Sequence, residues 1–295
     1  MMIQKGRIIK NYNGYYYVET ADKTLFTCKV KGKLKQERFS LVTGDFVEME
    51  TNGTEGMITQ VLPRTNFLQR PLMANVDLVV IAFAYADPDL SFLMLDKLLA
   101  LAESAGIQAI IVLNKEDLSN DALVKQCQEI YGKIGYEVYN TNATAGIGLA
   151  KLRERIKGKI SVFAGPSGVG KSTLLNGLDP NLKLTTGQVS KKIGRGRHTT
   201  RFAQLLPFEG GYIADTPGFS NINLAELPIA DLSGSFREFG PYAVQCKFTA
   251  CTHSHEPGCG VKAAVAAGKI AASRYNSYLR MLSENAKSKE RNLKK

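Results

Sequence analysis

The stretch Gly165-Pro166-Ser167-Gly168-Val169-Gly170-Lys171-Ser172 decides what kind of fold this chain can adopt. It follows the apolar segment 160–164 and precedes the helix-forming run Thr173-Leu174-Leu175. A glycine-rich loop between a buried strand and a helix turns backbone N–H groups inward, where they can cradle phosphates. In such a P-loop, Lys171 reaches the terminal phosphates and the Ser172 hydroxyl binds Mg²⁺. The stretch therefore predicts a nucleotide site in an α/β domain.

Strand and helix patterns alternate on both sides of this loop. Apolar segments predict strands at 78–84, 109–113, 136–139 and 160–164. Apolar periodicity predicts helices between them, at 92–105, 120–132 and 147–156. Alternation of this kind is typical of a parallel sheet covered by helices.

A second motif, Asp215-Thr216-Pro217-Gly218, follows a predicted strand at 211–214. In this D-x-x-G pattern the Asp215 carboxylate lies beside Mg²⁺ and the Gly218 amide lies near the γ-phosphate. Its position after the P-loop, at the end of a strand, favours the functional interpretation over that of an ordinary turn.

The turn Asn114-Lys115-Glu116-Asp117 directly follows the predicted strand 109–113. Asp117 can accept hydrogen bonds from the ring N–H and the exocyclic amino group of guanine, whereas adenine offers no donors there. Asn114 bonds to the base or the pocket wall, and the Lys115 stem covers the ring. This N-K-x-D pattern favours GTP over ATP, and segment 141–143 is a candidate for completing the base pocket.

The order of these motifs is unusual, because the guanine turn precedes the P-loop along the chain. In ordinary GTPases the P-loop comes first. The same sheet can still form if the chain is circularly permuted. We therefore expect a permuted GTPase whose D-x-x-G segment ends the domain and leads directly into the C-terminal part.

Many GTPases orient the attacking water with a Gln placed just after D-x-x-G. Here Phe219 stands at that position and cannot hydrogen-bond water. The segment 194–200, GRGRHTT, lies where the first switch belongs, and its His198 is a candidate to orient or activate the water. Thr199 or Thr200 is a candidate Mg²⁺ ligand. The sequence leaves a second interpretation of His198 open, that of an exposed loop residue with no catalytic role. For Arg195 and Arg197 it leaves two functions open, contact with the phosphates or contact with a partner RNA.

A metal site is predicted by Cys246-x4-Cys251-x-His253-x5-Cys259. Three thiolates and one imidazole suit a tetrahedral, closed and structural Zn²⁺ site, with one zinc per chain. His255 is an alternative ligand. The other two cysteines, Cys28 and Cys127, are isolated and are expected in the core.

The N-terminal segment predicts a small β-barrel. Strand patterns at 15–18, 25–30, 45–49 and 57–61 are separated by Gly-containing turns, which suggests an OB-type barrel. Its lysines and tyrosines suit either a solvated hairpin or a surface that tracks nucleic acid. After the metal motif, helices are predicted at 260–272 and 273–285, followed by a basic tail.

Charge and composition narrow the class of partner. The formal net charge is +11 in 295 residues, with 44% hydrophobic residues. Such a charge favours a polyanionic partner. The longest plain apolar run, 78–84, is far shorter than the ~20 residues of a membrane span, and no secretion signal is evident at the N-terminus. Clustered cysteines suit a reducing compartment. We expect a soluble, cytoplasmic monomer that does not contact membranes.

Taken in order, NKED, GPSGVGKS, GRHTT, DTPGF and CKFTACTHSHEPGC resemble the RsgA (YjeQ/YloQ) family of circularly permuted GTPases. The resemblance implies an OB domain (1–68), a permuted GTPase domain (69–222) and a helical zinc-binding domain with a basic tail (223–295). It also implies late action on the small (30S) ribosomal subunit and its rRNA, and GTP hydrolysis that the subunit stimulates. His198 would be the catalytic residue, and Cys246, Cys251, His253 and Cys259 would be the zinc ligands.

Two other functions stay open from the sequence. The protein could be a GTP-dependent regulator of translation or of another RNA complex. It could also be a zinc- and OB-containing RNA-binding module whose nucleotide is never hydrolysed. A P-loop kinase is disfavoured, because NKED and DTPG leave no role for a phosphate acceptor.

Overall fold

The computed structural model describes residues 2–32, 41–69, 71–182, 203–215 and 231–293. Side chains of Asp215 and of residues 287–293 are outside this description. The predicted switch residues Arg195, Arg197, His198, Thr199 and Thr200, together with Thr216–Phe219, lie outside the described residues.

Five strands near the N-terminus form a closed barrel: β1 (Met2–Tyr12), β2 (Tyr15–Thr20), β3 (Leu25–Val30), β4 (Phe46–Asn52) and β5 (Glu55–Val61). They pair in the order β1-β2-β3-β5-β4, and β4 returns to β1. Only the β3–β5 pairing is parallel. Alternate residues point inward, and Ile8, Val18 and Ile58 are among those fully buried in the barrel core. The predicted OB-type barrel is confirmed.

The longest barrel strand, β1, was not predicted by the sequence pattern. Its residues are mostly polar, and its core-facing positions include Gly6 and Ile8. A Cβ atom at Gly6 would lie 2.5 Å from Val18 Cγ1 and 2.8 Å from the Glu19 carbonyl oxygen. A glycine is therefore required by close strand approach, and this weakens the hydrophobic alternation by which a strand is normally recognised.

A short hairpin, β6 (Phe67–Gln69) and β7 (Leu72–Ala74), leads from the barrel to a second set of strands. These strands lie in the order β10-β9-β8-β11-β13-β12. All neighbours are parallel except β12 and β13, which form an antiparallel hairpin. Their bounds are β8 Leu78–Ala84, β9 Gln108–Asn114, β10 Val138–Asn140, β11 Ile160–Ala164, β12 Gln204–Phe208 and β13 Gly211–Asp215.

The sheet order explains how a permuted chain can close the domain. β11, which precedes the P-loop, lies in the middle of the sheet between β8 and β13, although it follows β8, β9 and β10 along the chain. Both faces of the sheet are covered, by α1 (Phe92–Ser104) and α2 (Asp121–Cys127) on one side and by α3 (Leu149–Ile156) and α4 (Lys171–Leu178) on the other.

The predicted helix 120–132 is interrupted. α2 ends at Cys127 and continues as a five-residue π turn, Gln128–Gly132. Ile130 and Tyr131 are adjacent in sequence and both buried. The π turn therefore continues the helical segment and carries two consecutive side chains into the core.

The C-terminal part contains α5 (Gly240–Ala243), α6 (Gly260–Ala266) and α7 (Ala272–Leu293). The predicted helix 260–272 was too long. α6 ends at Ala266, and Gly268 takes a left-handed φ of 68°. A glycine after the last turn can adopt this conformation without steric cost and stops the helix. The predicted helix 273–285 was too short, because α7 continues to Leu293.

A buried ion-pair network joins α7 to α1. The Arg274 guanidinium is 1% exposed and donates to Asp96 Oδ1 at 2.8 Å and to Glu238 Oε1 at 2.7 Å. Tyr131 also donates to Asp96, at 2.8 Å. Paired charges can be buried only when such hydrogen bonds satisfy them. Arg274 therefore fastens the C-terminal part to the central sheet domain.

Among the described helices, none has both the length and the apolar character that a membrane crossing needs.

Arg274→Ala should remove the cation and leave Asp96 and Glu238 as buried carboxylates. Breaking a buried pair in this way typically costs about 3–5 kcal/mol, so the free energy of unfolding in a denaturant titration should fall by that order. Arg280→Ala, an exposed position on the same helix, is the control and should change little. Equal stability of the two variants would contradict a structural role for the network.

Candidate nucleotide site and metal centre

The predicted nucleotide motifs meet at one edge of the central sheet. β8, β9, β10 and β11 run parallel, so their carboxyl ends lie side by side. The P-loop, Gly165–Ser172, follows β11, and the turn 114–117 begins at the last residue of β9. Segment 141–143 follows β10. This edge is where ligands of open α/β sheets bind.

Two P-loop glycines are required by close contacts. Gly165 has a φ of 138°, and a Cβ atom there would lie 1.9 Å from the Ala82 carbonyl oxygen in β8. Gly170 has a φ of 89°, and a Cβ atom there would lie 2.4 Å from Asn114 Nδ2. The loop thus passes against the neighbouring strand at one end and against the predicted guanine turn at the other.

The Lys171 ammonium lies inside the P-loop. It donates to the carbonyl oxygens of Gly165 and Pro166, at 2.8 and 2.6 Å. Burial lowers the pKa of Lys171 to about 8. Ser172 and Thr173 follow in the first turn of α4, where free N–H groups and the helix dipole favour anions. The arrangement is suited to phosphate binding.

Asn114 joins three segments of the site. It is 3% exposed, and its Nδ2 donates to the Val169 carbonyl oxygen at 2.9 Å. Its Oδ1 accepts from the Ala143 N–H at 3.0 Å and from the Thr141 hydroxyl at 3.2 Å. One buried carboxamide therefore ties the P-loop to the segment after β10.

A cavity of about 350 Å³ opens above this junction. Its lining includes Asn114, Lys115, Asp117, Asn142, Ala143, Thr144, Ala145, Gly170 and Thr173. Glu116 begins a 3-10 turn that holds Asp117 at the rim. The predicted guanine turn, the segment 141–143 and the end of the P-loop are thus brought to one cavity, next to the predicted phosphate site.

Asn142 lies in segment 141–143, the predicted candidate for completing the base pocket, and its contacts define what it does there. Its Nδ2 donates to Asp117 Oδ1 at 2.8 Å, and its Oδ1 accepts from the Ala145 N–H at 3.1 Å. The side chain therefore orients the Asp117 carboxylate and shapes the cavity wall. The position of segment 141–143, directly after a strand beside β9, is the feature from which the sequence predicted it.

The loop after β8 was missed by sequence reasoning. Lys115 donates through Nζ to the Asp87 carbonyl oxygen, and the Asp87 carboxylate lies 3.7 Å from the same atom. Tyr85 donates to Asn140 Oδ1 at 2.7 Å. This loop contacts the guanine turn through Asp87 and the end of β10 through Tyr85. The sequence could have indicated this loop only by its position, because it follows a parallel strand at the same edge of the sheet.

Only part of the predicted switch machinery can be placed. Asp215 is the last residue of β13, which pairs with β11, the strand that leads into the P-loop. His198, Thr199, Thr200 and Gly218 lie outside the described residues.

The predicted metal ligands are brought together. One ligand atom from each of Cys246, Cys251, His253 and Cys259 lies within 4.8 Å of the others. His253 Nδ1 is 3.5 Å from Cys246 Sγ and 3.4 Å from Cys259 Sγ. His255 is exposed, and its Nδ1 is 2.9 Å from the Ser254 hydroxyl instead.

The surroundings of the cluster favour metal binding. Burial lowers the pKa of His253, so the imidazole is neutral at neutral pH. The Gly260 N–H donates to Cys246 Sγ at 3.3 Å, and the Lys262 N–H donates to Cys259 Sγ at 3.5 Å. His253 packs edge-on against Phe239, with ring centroids 5.8 Å apart. Four protein ligands of this type can hold a tetrahedral zinc ion and leave no open position for catalysis.

Asn142→Ala should weaken GTP binding about tenfold, because the Asp117 carboxylate loses a hydrogen bond of the charge-assisted kind. GTP and GDP affinities measured by calorimetry check this. Asn181→Ala, an exposed carboxamide that bonds Asp179, is the control. Wild-type affinity in Asn142→Ala would show that the observed contact does not orient Asp117 for the base.

Purified wild-type protein should contain one zinc per chain by metal analysis. His253→Ala should lose the metal and loosen the segment around α6, because an incomplete ligand set binds zinc weakly. His255→Ala is the matched control and should keep it. The reverse result would assign the fourth ligand to His255.

The chain is similar to known proteins over nearly its full length. The family model of the RsgA GTPase matches residues 61–225, and that of the RsgA N-terminal domain matches residues 5–58. A "Small ribosomal subunit biogenesis GTPase RsgA" from Alkaliphilus metalliredigens is 44% identical over 97% of this chain and 99% of its own length. A protein of the same name from Carboxydothermus hydrogenoformans is 46% identical over 95% of this chain and 97% of its own.

Solved structures agree with the sequence relatives. YjeQ from Thermotoga maritima has a TM-score of 0.85 and 38% identity, covering 97% of this chain and 99% of that one. YloQ, described as a circularly permuted GTPase, has a TM-score of 0.81 and 33% identity, covering 97% and 96%. The permuted order of the nucleotide motifs and these relationships lead to one conclusion: the chain belongs to the RsgA family of circularly permuted GTPases.

Proposed function

We propose that the protein hydrolyses GTP during late maturation of the small ribosomal subunit. It binds the subunit and its rRNA with GTP bound and leaves after hydrolysis, which the subunit stimulates. The names of its relatives support the partner, and membership of a GTPase family supports the reaction. The working form is a monomer of three domains, 1–68, 69–222 and 223–295, that acts in the cytoplasm, where ribosomal subunits are assembled.

One observation supports guanine-nucleotide binding above all others. The Asn114 carboxamide holds the P-loop and the wall of the base cavity together, and Asp117 stands at the cavity rim beside it. A nucleotide whose base is bound in this cavity has its phosphates at the P-loop. Asp117 accepts two hydrogen bonds from guanine, and adenine would leave this acceptor unpaired.

The P-loop residues and the switch residues divide the chemistry between them. Lys171 and the N–H groups of Gly165–Thr173 would bind the phosphates, while the Ser172 hydroxyl, Asp215 and Thr199 or Thr200 would hold Mg²⁺. Mg²⁺, when bound, offsets the charge that develops on the β- and γ-phosphate oxygens. His198 orients the attacking water, a role for which Phe219 offers no hydrogen-bonding group. The Gly218 N–H approaches the γ-phosphate.

The barrel carries a surface suited to RNA. On the outer face of β1, β2 and β3, Lys10 lies 5.7 Å from the ring centroids of Tyr12 and Tyr17, and Lys29 lies 5.4 Å from that of Tyr15. Tyr12 is 47% exposed and Tyr15 is 39% exposed. Exposed aromatic rings beside lysines can stack unpaired bases and contact phosphates at the same time.

Small ribosomal subunits should therefore accelerate GTP turnover well above the rate of the free protein, and large subunits should do so much less. Phosphate release is measured with each purified subunit, and cosedimentation with GTP, GDP and a non-hydrolysable analogue measures binding. Binding should weaken steeply as salt rises, because phosphate contacts release counterions.

His198→Ala is the control for hydrolysis. It should bind GTP and the subunit but lose about 10²–10⁴-fold in turnover, the usual contribution of a general acid–base group. Preference for translating ribosomes over free small subunits would favour a translation regulator. GTP binding without turnover would favour a non-enzymatic RNA-binding module. Equal stimulation by both subunits, or none by either, would contradict the proposed function.

A further inference from the structure

The barrel contacts the nucleotide-binding sheet through the β12–β13 hairpin (residues 204–215). β12 lies at the end of the central set of strands, and barrel strand β1 pairs with it at Lys10 and Gln204. In sequence, this hairpin begins shortly after Thr200 and ends at Asp215. It therefore connects the two segments that we assign to Mg²⁺ and the γ-phosphate.

Thr43 of the barrel bonds directly to the residue before the hairpin. Its hydroxyl donates to the Ala203 carbonyl oxygen at 2.7 Å, and both residues are buried. The Thr43 backbone is itself held: its carbonyl oxygen accepts from the Ala74 N–H at 3.0 Å, and the adjacent Gly44 N–H donates to Ile8 at 2.8 Å. A hydroxyl fixed to the barrel thus sets the position of Ala203.

A second, independent contact reaches the other strand of the hairpin. Lys23, in the turn between β2 and β3, donates to the Tyr212 hydroxyl at 2.8 Å and lies 2.9 Å from the Glu19 carboxylate. Tyr212 in turn donates to Glu19. The Arg7 guanidinium lies 5.8 Å from the Tyr212 ring centroid. Barrel side chains therefore contact the approach to β12 and the body of β13.

We propose that Thr43 is a positioning residue for the stimulation of GTP hydrolysis by the small subunit, and not for the basal reaction of the free protein. Through Ala203 it holds the β12–β13 hairpin to the barrel, so that engagement of the barrel by the subunit is transmitted to the hairpin and thence to the GTP site. Lys23 and Glu19 form the second point of transmission, at Tyr212. The inference rests on the proposed function, since it concerns the stimulation by small subunits. Such coupling requires that binding at one site change the free energy of an arrangement at the other.

Buried hydrogen bonds are suited to this role. Water cannot reach the buried Ala203 carbonyl group and replace the Thr43 hydroxyl as its hydrogen-bond donor. If the barrel is displaced, the hairpin must therefore either move with it or lose this hydrogen bond. The Thr43–Ala203 bond therefore makes the two parts move together.

Thr43→Val removes the hydroxyl and keeps the branched shape of the side chain. Turnover of GTP by the free protein and the affinity for small subunits should stay within about twofold of wild type. The subunit-stimulated rate should fall about fivefold or more, the range of ordinary coupling between sites. Thr43→Ser restores the hydroxyl and should restore stimulation. Rates come from phosphate release at saturating subunits, and affinities from cosedimentation.

Lys23→Met tests the second contact with a side chain at the barrel surface, where a substitution does not threaten folding. Lys31→Met is the matched control. Lys31 is a similarly exposed barrel lysine, and its ion pair is with Glu50 of the barrel. Lys23→Met should lower the stimulated rate at saturating subunits, and Lys31→Met should not. If Thr43→Val does not fold, this pair decides the question.

The outcomes separate the two levels of the proposal. Absence of stimulation in the wild-type protein would overturn the proposed function itself. Normal stimulation of the wild type together with normal stimulation of Thr43→Val and Lys23→Met would overturn the coupling while leaving the function intact. A loss of subunit affinity in Thr43→Val that accounts for the lower rate would also overturn it, since the residue would then serve binding.

Discussion

The buried carboxamide of Asn114 is the contact on which the nucleotide site depends. The P-loop and the guanine turn are separate in sequence and follow different strands, and their order is inverted by the permutation. Asn114 donates to Val169 and accepts from Ala143, so it sets the distance between the phosphate end and the base end of the site. A neighbouring glycine, Gly170, leaves the space that its side chain occupies. Sheet order brings these loops to the same edge, and the carboxamide gives them a definite spacing.

Permutation also changes what lies next to the switch segments. β13 ends at Asp215, and the chain then runs on to the C-terminal part, which Arg274 fastens back onto α1. At its other side the same hairpin contacts the barrel through Thr43 and Lys23. The two outer parts of the molecule are thus fixed to the central domain by buried or partly buried polar contacts. A large partner that holds both of them would act on the segments that lie between.

Pairing of β1 with β12 has a second physical consequence. The outermost strand of a sheet exposes unpaired N–H and C=O groups, and such edges invite unwanted pairing. The barrel pairs with this edge at Lys10 and Gln204, while Tyr12 and Tyr15 are exposed on its outer face. Strand β1 belongs to the barrel and also pairs with the central sheet. Through this strand, the surface proposed to bind RNA is in direct contact with the hairpin.

The sequence by itself determined the class of the fold and most of the candidate site. Local patterns suffice for Gly165–Ser172, for Asn114–Asp117 and for the Cys246–Cys259 motif, because each is a short segment whose residue types and spacing follow from the chemistry of phosphate, guanine or zinc. Thr43 and Arg274 could not be found this way, and for Asn142 the sequence indicated the segment but not the partner. These side chains act through hydrogen bonds or ion pairs to residues distant in the chain, so only the tertiary structure decided their partners. The same reason explains β1, whose core-facing Gly6 is required only because Val18 lies against it. The end of α6 at Ala266 has a local cause instead, because the left-handed conformation of Gly268 outweighed the helical preference of the alanines before it.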